Sequence, residues 1–381
     1  MSGIDIINTA RTFAHDVIQP QAQSWENEKK QPVEALRQAA KLGLMAIDTP
    51  VSFGGRGETF ATKLAICELM SRADMGFTFS MINSQNVAAK LAAQPESQYQ
   101  SLVSQLMSAE LFGATALSEP GAGSDFSGIK TSAVRTGNTW RLNGTKGWIT
   151  NACIADIFVV YAQADPASGS RGIASFLVDA RNPGFTRGSP YELMGGHAIG
   201  AGEFHLEDFE VEESHLLAAP GEGFKHALGT VNNARVYVAS MCAGLIADAL
   251  ERALVYGESR QAFGAPILNN QGLMWTLTDV ATKLEALRAL CDKAGALIDN
   301  NEDAIMSAAF AKKFAGDVAA SSVIACQQAM GANGLRVDHP LSRHLACAKI
   351  ASYADGSTEM MNERISVGLR RAQDLAPKNS I

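Results

Sequence analysis

The sequence predicts a mostly α-helical protein with a β domain at its centre, and three observations carry that prediction. Apolar residues recur at three- and four-residue steps through residues 1–112 and again after residue 221. Between residues 113 and 220 the pattern changes to short apolar runs separated by Gly- and Pro-containing turns. At the entrance to that central segment stands a cluster of small residues, hydroxyls and carboxylates, Leu117-Ser118-Glu119-Pro120-Gly121-Ala122-Gly123-Ser124-Asp125. The expected domains are therefore 1–112 (helical), 113–220 (β) and 221–381 (helical bundle).

Taken in order, Ile6, Ile7, Ala10, Phe13, Ala14 and Val17 trace one helical stripe that Pro20 is expected to end. Val33, Leu36, Ala39 and Ala40 restart it before Gly43, residues 50–57 read as a loop, and Leu64, Ile66, Leu69 and Met70 form a further stripe. In the central segment, Trp140-Arg141-Leu142 and Trp148-Ile149-Thr150 flank Asn143-Gly144, a hairpin-like turn signal. Runs 157–161 and 173–178, with Phe204 and Leu206, supply further strands. Beyond Gly221, Leu245, Ile246, Ala249, Leu250, Ala253 and Leu254 mark one helix. The seam Leu273, Leu277, Val280, Leu284, Leu287, Cys291, Ala294 and Ile298 marks the next, of the kind buried in an antiparallel bundle. Abundant alanine over residues 304–325 allows close helix approach.

The 381 residues, 46% hydrophobic and 19% charged, suffice for two or three cores. A formal net charge of −7 with scattered Lys and Arg argues against a nucleic-acid partner, so anionic ligands must be met by a few placed residues. The six cysteines (Cys67, Cys153, Cys242, Cys291, Cys326, Cys347) show no CxxC pair, which predicts free thiols in a reducing compartment. His339 and His344 are too loosely placed for a metal pair. No apolar run approaches the roughly 18 residues of a membrane span, and a cytoplasmic location is expected, or the mitochondrial matrix in an organelle.

In the opening loop, Gly121 and Gly123 let backbone approach a flat or anionic ligand, and Ser118 and Ser124 can donate to its edge. Alone, such a cluster is more often a plain surface loop. Four further segments alter that balance: Lys146-Gly147-Trp148-Ile149-Thr150-Asn151; Arg260-Gln261-Ala262-Phe263-Gly264 with Gln271; Gln328-Ala329-Met330-Gly331-Ala332-Asn333-Gly334; and Asp355-Gly356-Ser357-Thr358-Glu359.

With these five pieces in order, residues 113–368 resemble the acyl-CoA dehydrogenase family, FAD-dependent flavoproteins that oxidise thioesters, and the helical first segment resembles the family's too. The resemblance implies an N-terminal helical domain, a middle β-barrel or sandwich and a C-terminal four-helix bundle. It implies that Leu117 and Ser118 line the flavin's pyrimidine edge, that Gly123 and Ser124 lie between flavin and coenzyme A, and that Trp148 covers the isoalloxazine. Ile149 belongs to the same cofactor segment, and the Thr150 hydroxyl would approach the hydride-accepting nitrogen. Arg260, Phe263 and Gln271 would hold the other end of the FAD from a neighbouring subunit. Gln328, Gly331, Ala332 and Gly334 would form its pyrophosphate loop, Glu359 would lie on the adenosine side, and Ser357, which keeps the hydroxyl of the family's threonine, would also serve the cofactor. A homotetramer or dimer is implied, with an electron-transfer flavoprotein as electron acceptor. Arg235, with Asn232 beside it, would contact the coenzyme A nucleotide.

The resemblance also assigns the base. Dehydrogenation moves an α-proton to a carboxylate and a β-hydride to flavin N5. Most of the family uses a glutamate before Gly-Thr; here Asp355 precedes Gly356-Ser357. Aspartate is one methylene shorter, and a reacting distance wrong by about an ångström can cost on the order of a hundredfold in rate. The alternative glutamate position of some relatives is Ala234 here. Acyl-CoA dehydrogenation is thus the expected reaction. Nitroalkane oxidation, elimination of a sulfinate from a thioester, and a catalytically silent relative that binds DNA or a protein are the alternatives.

Overall fold

The structure, a computed structural model, describes residues 3–94 and 97–375. Helices α1 (Gly3–Phe13) and α2 (Gln19–Glu28) are joined by a π-helical turn, Ala14–Ile18. The run therefore continues past Pro20, contrary to the expected stop. Pro20 falls in the first turn of α2, and the wider turn ahead of it relieves the clash of its ring and the missing N–H. Helix α3 (Val33–Lys41) ends before Gly43, as its spacing predicts. The Thr59 hydroxyl caps α4 (Phe60–Ser71), and the Asp74 carboxylate caps α5 (Met75–Ala92) by accepting from the Phe77 N–H at 2.8 Å. Helix α6 (Gln100–Met107) completes this set.

Eight strands follow: β1 (Gly113–Ala116), β2 (Ser132–Thr136), β3 (Thr139–Ile149), β4 (Ile157–Gln163), β5 (Ile173–Asp179), β6 (Phe185–Pro190), β7 (Gly202–Glu212) and β8 (Leu216–Ala218). They pair in the order β6-β7-β3-β2-β4-β5-β8, with β1 parallel to β4. Every residue of β4 is buried, because the strand is covered on both faces. Phe158, Val160 and Ala162 meet Phe176, Phe204 and Leu206, whereas Ile157, Val159 and Tyr161 meet Val87, Leu91, Val103 and Leu106 of α5 and α6. Such a strand reads as a continuous apolar run rather than an alternating one.

The expected hairpin at Asn143-Gly144 does not form, since β3 runs straight through it beside β7. What breaks the regular register there is an extra residue on β7. Asp208 takes φ 45°, its N–H donates to the Asn143 side-chain oxygen at 2.7 Å, and Gly144 is required because a Cβ would come 2.6 Å from Thr131 Cα. The true reversal joins β2 to β3 through Gly137-Asn138, with Thr136 paired to Thr139. Positive φ at Gly137 (63°) and not at Asn138 is the II′ pattern.

By proximity the chain divides into residues 1–230 and 231–381, and helix α7 (Gly223–Ser259) crosses the boundary. The second unit continues through a short hairpin of β9 (Gln261–Ala262) and β10 (Ala265–Pro266) to α8 (Gln271–Asp299), α9 (Ile305–Ala329), α10 (Leu341–Tyr353) and α11 (Thr358–Leu375). Helix α9 packs against α8, α10 and α11. Its small residues permit this: a Cβ on Gly316 would lie 2.4 Å from the Thr358 hydroxyl. The predicted α8 seam is buried from Leu277 to Ala294. All six cysteines are free, and among the described residues no helix is long and apolar enough to cross a membrane.

Candidate active site

In the first unit the opening loop is a tight turn bolted to β3. Glu119 and Ala122 exchange backbone hydrogen bonds of 2.9 and 3.1 Å around Pro120-Gly121, and the Gly147 N–H donates to the Ser118 carbonyl at 3.1 Å. Beneath it the fully buried Lys146 donates to the Leu117 carbonyl and to the Glu119 carboxylate, each at 2.9 Å. The Lys130 and Thr131 N–H groups also donate to Glu119, at 2.7 and 2.8 Å. Burial alone would raise the Glu119 carboxyl, but Lys146 and these donors outweigh it and hold the group below its ordinary range. Gly121 and Gly123 are exposed, with open space where a Cβ would stand.

The strand beside the loop is re-aimed by an extra residue. Register shifts between Lys146 and Ile149, and Trp148 takes φ 60°. Its ring is 63% exposed and leans on Tyr191 at a centroid distance of 4.6 Å. Ile149 returns to the core, Thr150 is half-buried, and Asn151 is fully buried with φ 64°. The Asn151 amide donates to the Ser80 and Gly113 carbonyls and its oxygen accepts from Gln31 and Ser80. This fixes where Trp148 and Thr150 emerge. The Ser118, Ser124 and Thr150 hydroxyls have no hydrogen-bond partner among the described residues, leaving them available to a ligand.

The second unit builds a carboxylate site. Asp355 and Gly356 lie between α10 and α11 with φ 55° and 101°, left-handed geometry that comes freely to glycine and is uncommon for other residues, aspartate among the more tolerant. Buried Arg235 on α7 donates Nε–H to the Asp355 carbonyl at 3.1 Å and Nη1–H to Asn232 at 2.7 Å. Lys312 of α9 donates to the next carbonyl, Gly356, at 3.1 Å. The half-buried Asp355 carboxylate takes no hydrogen bond from any described residue. Burial pushes it up to about 6, against the opposing pull of Lys312 and Arg235. Arg235 is thus bonded to the 355–356 turn. Ser357 caps α11, accepting from the Met360 N–H at 3.3 Å, and Glu359 is exposed on its first turn.

The remaining predicted residues, Gly334 apart, stand on the surface of this unit. Arg260 and Gln271 flank the β9–β10 hairpin, and Phe263 at its tip is fully exposed with φ 55°. Gln328, Gly331 and Ala332 are exposed at the end of α9; Gly331 has φ 59° and open space where a Cβ would stand. Gly334 is buried, and a Cβ there would lie 2.6 Å from the Gln327 carbonyl. Free hydroxyls, an exposed indole and Cβ-free backbone are groups that suit a flavin nucleotide. Sequence reasoning missed Lys146, Asn151 and Lys312 as site residues. Lys312 did leave a signal: a lysine in register with Ala308, Ala315 and Ala319, on the buried face of an alanine-rich helix.

Helices, sheet and helices carrying these groups define an FAD-dependent oxidoreductase. Three family models match in series: acyl-CoA dehydrogenase N-terminal domain at residues 4–122, middle domain at 114–209 and C-terminal domain at 221–369. The chain belongs to the acyl-CoA dehydrogenase family. It is 34% identical over 369 residues to the human mitochondrial short-chain specific acyl-CoA dehydrogenase, covering 96% of this chain and 90% of that protein. Butyryl-CoA dehydrogenase from Megasphaera elsdenii superposes with a TM-score of 0.93 at 28% identity, covering 97% of this chain and 98% of that one. A chain from work on the electron transferring flavoprotein of Acidaminococcus fermentans superposes equally well, with a TM-score of 0.93 at 32% identity and the same coverage of 97% and 98%.

Proposed function

We propose that the protein catalyses α,β-dehydrogenation of an acyl-CoA thioester, with Asp355 as the base that takes the α-proton. The observation that carries this is the Asp355 carboxylate, free of hydrogen-bond donors on a turn whose two carbonyls are held by the buried Arg235 and Lys312. A weak carbon acid needs such a base: positioned, partly desolvated, and with an acceptor oxygen not already engaged. Bound FAD supplies the hydride acceptor. Leu117, Ser118, Ile149 and Thr150 would hold its ring with Trp148 against it, and Gly123 and Ser124 would meet the thioester. Arg260, Phe263 and Gln271 would hold the other end of the FAD from a second subunit of a homotetramer or dimer. Gln328, Gly331, Ala332, Gly334, Ser357 and Glu359 would line its phosphates and adenosine. Electrons would leave to an electron-transfer flavoprotein.

The test is anaerobic bleaching of the flavin by a thioester series beginning at butyryl-CoA, on wild type and on Asp355→Asn. Wild type is expected to bleach with at least one member and the Asn variant with none. Normal reduction in Asp355→Asn would remove Asp355 from the mechanism. The shorter carboxylate favours a second reading, nitroalkane oxidation, which oxygen uptake with nitroethane would reveal.

A further inference from the structure

We propose that Lys312 is the positioning residue of the base: its ammonium clamps the 355–356 turn through the Gly356 carbonyl. This rests on the reading of Asp355 as base. Lys312 is 1% exposed on the central helix α9, amid buried Ala308, Ala309, Ala311 and Ala315. No carboxylate pairs with it directly among the described residues; its hydrogen bond goes to the Gly356 carbonyl. A buried ammonium without a bonded carboxylate costs several kcal/mol, a cost an aliphatic side chain of equal length would avoid. The cost must be offset by what the ammonium touches, and it touches the turn that carries the base.

The arrangement separates holding from reacting. Arg235 and Lys312 grip consecutive carbonyls, those of Asp355 and Gly356, and so hold two left-handed residues in place without engaging the carboxylate. A direct ion pair would occupy the oxygen that must receive the proton and lower its basicity. Held at one remove, the carboxylate keeps a free acceptor and still feels positive charge. The charges that act on it are Lys312 from α9 and Arg235 from α7; Cys242 of α7 acts in turn on Lys312, and Arg364 of α11 on Arg235.

The test uses FAD-loaded Lys312→Met and Lys312→Arg, reading the pH profile of thioester-driven flavin reduction and a carbon-13 NMR titration of Asp355. Without the cation, the acidic limb and the NMR midpoint are expected to rise by about one pH unit or more, and the rate at the optimum to fall on the order of a hundredfold as the turn shifts. Lys312→Arg keeps the charge on a differently shaped head; it should leave the limb in place and slow the step roughly tenfold. A Met variant with lowered thermal stability but an unmoved limb overturns the proposal. If the Met variant does not fold, an Arg variant as fast as wild type overturns it. Flavin reduction surviving in Asp355→Asn would instead sink the assignment of the base.

Discussion

At the scale of single residues, Asp355 links stability to reactivity with a definite sign. Burial raises its carboxyl from 3.8 to about 6 in the folded chain. The folded state therefore binds the proton more tightly than the unfolded one, so its contribution to stability falls as pH rises from about 4 to about 6 and stays lost above that. Asp355→Asn removes the penalty. Calorimetry of the holoenzyme should show the variant melting above wild type at pH 7 to 8, with the gap closing toward pH 4. Parallel pH dependences in the two proteins would rule out a raised carboxyl at this position. A variant that gains stability while losing flavin reduction would mark the burial of the carboxylate as a cost kept for function.

At the scale of elements, the 117–125 loop depends on a pair that it hides. Lys146 and Glu119 are both buried, so removing one partner leaves the other an uncompensated charge, a change that costs about 3–5 kcal/mol in such pairs. Lys146→Met is expected to unfold at lower temperature and release FAD more readily, whereas Lys146→Met with Glu119→Gln should recover part of the loss. A double variant no better than the single one would mean that the Lys130 and Thr131 N–H groups, rather than the pair, hold the loop. This is also the scale at which the sequence is most and least legible. The α8 seam and the burial of β4 follow from periodicity and apolar run length, because one repeating contact surface dictates them. Pro20 and Asn143-Gly144 mislead because a π turn and a residue inserted on the opposite strand absorb the local signals. Lys312 and Asn151 do work that depends on partners far along the chain, Gly356 for one and Ser80 and Gly113 for the other, and no local pattern encodes those.

At the scale of the whole molecule, the question is whether one chain suffices for one site. Within the single chain, Phe263 stands wholly in solvent, and Trp275 on α8 and Val255 on α7 are 63% and 66% exposed. Large apolar side chains displayed together in one stretch of chain are costly to leave bare and suit a covering surface. In the proposed assembly, residues 260–271 of one subunit complete the FAD site whose base belongs to another. Subunit complementation tests this directly. Asp355→Asn lacks the base but keeps Phe263; Phe263→Ala keeps the base but is expected to hold FAD poorly, and each alone should be nearly inactive. In a hybrid of the two, one site combines an intact Asp355 from one chain with an intact Phe263 from the other. Random pairing of equal amounts makes half the dimers hybrid with one of two sites intact, so coexpression should restore about a quarter of wild-type activity. If instead each chain builds its own complete site, no hybrid contains an intact one, and coexpressed variants will show no more activity than their separate mixtures.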